Sequence, residues 1–227
     1  MSQLVQFEDL HNIEYKQAWD YQESLMLKIQ ENKKDKQNPI FHSLLFCEHP
    51  HVYTLGKSGT ENNLLINDEF LKKINATYFK SNRGGDITYH GPGQIVGYPI
   101  FDLEQFNFQV KIYIDKLEQV IINTIAHWGI IGTRLKGATG VWLDIDKPGH
   151  TRKICAMGVR VSRWVTMHGF ALNVNTNLSY FSHINPCGFV DKGVTSMEKE
   201  VGEKLNFDQV KKVLKAEMAK EFGLKYM

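Results

Sequence analysis

Three cysteines, at positions 47, 155 and 187, are the thiols of this 227-residue chain, and nucleophilic, covalent catalysis is a chemistry open to a thiol. A reactive thiol needs partial exposure and a positive neighbour to form thiolate. Cys47 ends the apolar run IFHSLLFC and reads as core. Cys155 lies in KICAMGV, a strand pattern with small residues around it. Cys187 stands between Pro186 and Gly188 in HINPCGF, a constrained and exposable turn, and is the best nucleophile candidate. Lys153 opens the strand that carries Cys155. A lysine there is commonly solvated, but it can act as a base where burial or nearby positive charge lowers its pKa. Strand alternation puts Lys153 and Cys155 on one face, so a relay between those two is a second possibility. His183, four residues before Cys187, offers a third, a Cys–His pair. The run Cys47-x-His49-x-His51 has metal-ligand spacing but lacks a second Cys/His pair elsewhere, so no metal is expected.

The densest stretch is RGGDITYHGPGQ, residues 83–94, with four glycines and a proline in twelve positions. Two tight turns, at Gly84-Gly85 and at Gly91-Pro92-Gly93, bracket a short strand that carries Thr88, Tyr89 and His90. Such a segment can cradle an acyl or phosphate group on its backbone. His90, and His168 in MHGFALNVN, read as pocket walls.

Residues 83–94 resemble the signature RGG-x-x-T-x-H-x-P-G-Q of the lipoyl (octanoyl) transferases. RKICAMGVR and LNVNTNLSYFSHINPCG resemble two further segments of the same family, and the likeness spans roughly residues 40–200. The resemblance implies a biotin/lipoate protein ligase-like catalytic fold. It also implies that Cys187 accepts the acyl group and that Lys153, in RKI-x-x-x-G, meets it in space. The expected walls of the acyl slot are Arg83, Gly84, Gly85, Asp86, Ile87, Thr88, Tyr89 and His90, then Ala156, Met157 and Gly158, then Gly169, Phe170 and Ala171. The implied reaction moves an octanoyl group from octanoyl-acyl carrier protein to a lysine of a lipoyl domain, without a cofactor. The implied acceptors are the lipoyl domains of 2-oxoacid dehydrogenase complexes and the glycine cleavage H protein. The alternative is an ATP-dependent lipoate or biotin protein ligase of the same fold. Those ligases carry a longer SGGG-like run where this chain has RGGDIT, and often an extra C-terminal domain.

The elements that must position these residues follow from periodicity. Residues 14–33 and 110–128 read as amphipathic helices, the second with apolar residues at 110, 112, 114, 117, 121, 122, 125 and 128. Residues 207–222 form a C-terminal helix of the same kind. Strands are expected over residues 3–8, 40–47, 77–80, 95–101, 139–145, 153–161 and 166–174. The resulting class is α+β, or mixed α/β, with mostly antiparallel or mixed sheets flanked by helices. One catalytic domain over residues 1–227, with a core at about 40–200, suits the length. A net charge of +2 gives no sign of a nucleic-acid partner. The absence of a long apolar run argues against a membrane span, the polar, acidic N-terminus against a signal peptide. Three widely spaced cysteines argue against a disulfide scaffold, so a cytoplasmic location is expected. The chain is expected to act as a monomer. An acidic carrier protein calls for a basic rim, for which Lys57, Lys72, Lys73, Lys80 and Arg160 are candidates.

Overall fold

A computed structural model describes residues 3–34, 40–185 and 192–227. In chain order these form β1 (Gln3–Asn12), α1 (Tyr15–Asn32), β2 (His42–Glu48), β3 (Val52–Leu55), α2 (Asp68–Lys73), β4 (Thr77–Lys80), β5 (Ile87–His90) and β6 (Gln94–Ile100). There follow α3 (Val110–Ala126), β7 (Thr133–Leu135), β8 (Ala138–Leu143), β9 (Arg152–Ser162), β10 (Val165–Asn173), β11 (Gly193–Val194), α4 (Met197–Val201), α5 (Phe207–Phe222) and β12 (Leu224–Tyr226). The expected strands and long helices are present. The additions are short: β3, β7, β11, β12 and α4 have two to five residues each, too few for a period to show in sequence.

The larger sheet runs β12-β1-β2-β6-β10-β9-β8-β7, with β11 beside β9. Pairing is antiparallel from β2 to β7, whereas β12, β1 and β2 run parallel to one another and β11 runs parallel to β9. A smaller sheet, β4-β3-β5, carries the strand of the RGG motif. One face of the larger sheet packs Phe46, Ile95, Ile154 and Leu172 against α3 and α5. The other face sets Leu45, Val96, Tyr98 and Ala171 against Ala18, Met26 and Ile29 of α1.

The buried stripe of α3 corrects the expected one. Tyr113, Leu117, Val120, Ile121, Thr124 and Ile125 face inward at helical spacing, while Val110 and Ile112 are exposed. The α5 helix starts at Asn206, whose side chain accepts a hydrogen bond from Gln209 N at 3.0 Å, and ends at Gly223 in a left-handed conformation. Asn206→Ala is expected to cost about 0.5–2 kcal/mol by loss of that cap, read as a lower denaturant midpoint at unchanged slope. Among the described residues no helix is long and apolar enough to cross a membrane.

Candidate active site

A cavity of about 840 Å³ opens on the face of the larger sheet that α1 partly covers. Its walls come from the RGG turn and β5, from Gln94, Val96 and Tyr98 of β6, and from β9 and β10. Tyr15 at the start of α1, Trp142 of β8, and Leu178, Phe181 and Ile184 beyond β10 also line it. The lining mixes an apolar body with a few polar groups, the usual make-up of a small-molecule site. Residues 83–88, His90, Lys153, 156–158 and 169–171 all lie in the wall.

Tyr89 does not. It is fully buried behind β5, its hydroxyl 2.7 Å from His51 Nδ1 and its ring stacked on Tyr180 at 4.9 Å. Successive strand side chains point to opposite faces, so the neighbours that line the cavity turn Tyr89 away from it.

The RGG turn is wedged between the two sheets. Gly84 N donates to Val159 O at 2.9 Å, which ties the turn to β9. A Cβ on Gly158 would come within 2.7 Å of Gly84 O, and a Cβ on Gly56 within 2.3 Å of Gly85 O. The glycines therefore serve close approach, and Gly85 also takes a positive φ of 83°. Arg83 fastens this arrangement: Nη2 donates to the Thr54 carbonyl at 2.6 Å and to Thr54 Oγ1 at 2.9 Å, and Nη1 to Gly84 O at 3.0 Å.

Lys153 reaches the cavity through an irregularity in β9. Trp142 opposes Lys153 and Val141 opposes Cys155, so Ile154 has no partner of its own and the strand is bulged. The bulge overturns the simple alternation that would put Lys153 and Cys155 on one face. Lys153 Nζ stands 4.5 Å above the Trp142 ring in the cavity wall, while Ile154 and Cys155 are fully buried in the α3–α5 core. Burial pushes the Cys155 thiol far up, only partly offset by the Ala171 N–H and the Lys153 charge. A buried neutral thiol is a poor nucleophile.

Cys187 lies outside the described residues. The chain on either side of residues 186–191 is at the cavity: Ile184 and Asn185 line it before, and Lys192, Gly193 and Val194 after. Val194 pairs directly with Lys153. The His183 ring meets Phe70 at 5.2 Å and Tyr180 at 6.3 Å.

Burial lowers both cavity histidines to about 3, so each is neutral at pH 7. For His90 the further causes are His49, Arg83 and His168, partly opposed by the bond to Gln94; for His168 they are Arg83 and Arg160. His168 also holds a left-handed φ of 59°, with its ring Nε2 2.7 Å from Asn82 Oδ1. In the Cys47-His49-His51 run only Cys47 and His49 stay together, with Sγ 3.5 Å from His49 Nε2. His49 Nδ1 lies 2.6 Å from the Ile13 carbonyl and donates to it, its Nε2 accepts from Tyr98, and His51 bonds Tyr89 on another side. Of the basic-rim candidates, Lys80 pairs with Glu61, and Arg160 reaches Glu23 at 3.3 Å. Sequence reasoning missed Tyr15, Gln94, Trp142 and Asn173 as cavity residues. Gln94 and Asn173 had a signal, since Gln94 closes the glycine-rich signature and Asn173 lies in the segment LNVNTNLSYFSHINPCG, whereas Tyr15 and Trp142 have none in sequence.

The chain carrying this site is similar to known proteins over most of its length. The profile described as lipoyl protein ligase A/B catalytic domain matches residues 14–219, and the chain belongs to that family. It is 54% identical over 222 residues to an octanoyltransferase of Flavobacterium psychrophilum, covering 95% of each chain. Its fold is similar to a bi-partite lipoate protein ligase from Thermoplasma acidophilum, with a TM-score of 0.68 at 13% identity, covering 100% of this chain and 85% of that one. It is also similar to a biotin protein ligase of Aquifex aeolicus, with a TM-score of 0.52 at 12% identity, covering 96% and 70%. The expected biotin/lipoate protein ligase-like fold is thus the fold observed.

Proposed function

We propose that this chain is an octanoyltransferase that moves an octanoyl group from octanoyl-acyl carrier protein to a lysine of a lipoyl domain, through a thioester on Cys187. One observation carries the residue roles: Lys153 stands in the wall of a largely apolar cavity, and the described chain on either side of the Cys187 segment lines that same cavity. The kinship with octanoyltransferases at half identity supports the reaction.

In the first half-reaction Lys153, once its ammonium has released a proton to solvent, takes the Cys187 proton. The thiolate attacks the thioester carbonyl, and the departing carrier thiolate takes the proton back from Lys153. In the second, the acceptor amine attacks the Cys187 thioester and gives its proton to Lys153, which returns it to the leaving Cys187 thiolate. Thioester exchange is close to neutral and amide formation from a thioester is downhill, so no nucleotide is needed. The neutral His90 and His168 act as fixed dipoles and walls in this scheme and carry no proton between steps. The apolar stretch of Val96, Met157, Phe170 and Ala171 takes the alkyl chain.

The reading extends to the surroundings. It makes residues 1–227 one catalytic domain, acting as a monomer in the cytoplasm on the lipoyl domains of 2-oxoacid dehydrogenase complexes and on the glycine cleavage H protein. The free thiols of Cys47 and Cys155, both buried, suit a reducing compartment.

Intact mass of the protein after incubation with octanoyl-acyl carrier protein tests the scheme. One octanoyl adduct is expected, labile to hydroxylamine, retained in Cys155→Ala and absent in Cys187→Ala. Acceptor modification that occurs only with ATP and free octanoate would overturn it in favour of a ligase.

A further inference from the structure

A directed chain of hydrogen bonds runs through the cavity wall from the RGG turn to the backbone of Lys153. Its side chains, Arg83, Thr54, His90, Gln94 and Asn173, are each no more than 7% exposed. Backbone carbonyls force the direction of every step. Asn173 Nδ2 lies 3.0 Å from the Thr195 carbonyl, so this atom is a donor and Asn173 Oδ1 is left to accept. Gln94 Nε2 lies 3.2 Å from the Tyr89 carbonyl and 2.8 Å from Asn173 Oδ1, and donates to both. Gln94 Oε1 must then accept from His90 Nδ1 at 2.8 Å. His90 Nε2 is thereby the acceptor nitrogen, and it faces Thr54 Oγ1 at 3.4 Å, which itself accepts from Arg83. At the far end Thr195 N donates to the Lys153 carbonyl at 2.9 Å.

The far end is where sheet pairing changes hands. The β10–β9 ladder stops at Leu172 opposite Cys155, and β11 takes over as the neighbour of Arg152 and Lys153. On the other side of β9 the ladder to β8 is broken by the bulge. Lys153 is thus held between Trp142 of β8 and the two-residue β11, and the Asn173 side chain ties the end of β10 to Thr195, the residue that follows β11.

We infer that Gln94 and Asn173 are positioning residues for the reaction proposed above: they hold β11 against Lys153 and so set where its amine stands in the cavity. Neither need touch the substrate for this role. The inference rests on the functional reading, but its failure shows in the variants alone, whereas failure of the functional reading shows in the native protein as an absence of octanoyl transfer.

Two variants test it. Asn173→Ala is expected to lower kcat by roughly 10- to 100-fold with the donor KM unchanged, because a small misplacement of a catalytic group acts on the transition state. Amide exchange at Thr195 is expected to quicken by roughly fivefold to tenfold, the worth of one buried hydrogen bond. Asn173→Asp preserves size and guards against a folding defect in the first variant. Its protonated carboxyl can donate to Thr195 and accept from Gln94, but its ionised form sets an oxygen against the Thr195 carbonyl. Its kcat relative to the native protein is therefore expected to fall as pH rises, a profile that loss of packing alone would not produce. An unchanged kcat in Asn173→Ala, a loss carried by KM, unchanged exchange at Thr195, or a pH-independent ratio for Asn173→Asp overturns the positioning role.

Discussion

Lys153→Met is expected to slow octanoylation of the protein by roughly 10²–10⁴-fold, the usual worth of a positioned acid–base group. Methionine preserves most of the stem that packs beside Gly140 and Trp142 and removes only the amine. The cation–π contact with Trp142 goes with it, a loss of about 0.5–2 kcal/mol, so the variant remains folded and the two effects separate. Lys153→Arg is expected to fail as well, because a guanidinium stays protonated and cannot accept the thiol proton. Single-turnover acylation followed by intact mass is the measurement, with hydroxylamine lability confirming a thioester. Acylation of Lys153→Met at the native rate would remove Lys153 from the mechanism and leave another group as the base.

The second large effect falls on stability. Gly56→Ala is expected to lose about 1–3 kcal/mol, the usual range for forcing a methyl into a packed site. The added Cβ would stand 2.3 Å from Gly85 O and 2.7 Å from Arg83 Nη1. Neither partner can move cheaply. Gly85 O already accepts from Ser58 N at 3.1 Å, Lys57 N donates to Arg83 O at 3.0 Å, and Gly56 N to Asp86 O at 3.2 Å. Relieving the clash means opening this joint between β3 and the RGG turn, which also forms one wall of the cavity. Thermal melting should fall by roughly 2–4 °C per kcal/mol in a chain of this size. Octanoyl-donor binding should weaken in the same variant. A native melting temperature would show that the turn is not wedged as described.

The local elements were legible from the residues alone. Periodicity located α1, α3 and α5 and the longer strands, because a buried face at period 3.6 or 2 is written directly into the order of side chains. The glycine-rich residues 83–94 announced a backbone made for close approach, and they line the cavity apart from a few positions such as Tyr89. Cys47 was legible as core, and it is buried. Tertiary structure decided the rest. Whether Lys153 shares a face with Cys155 turns on one unpaired residue, Ile154, and a bulge exists only when a partner strand is present to define it. Tyr89 is packed away by His51 and Tyr180, the latter 91 positions further along the chain. Gln94 and Asn173 meet across 79 positions, and β12 finds β1 across nearly the whole chain. Such pairings depend on which distant segments win the competition for a sheet edge or a buried polar partner. That competition is settled by the packing of the entire molecule, so the sequence by itself determined which segments bear the chemistry, and only the folded chain decided which of their side chains face one another.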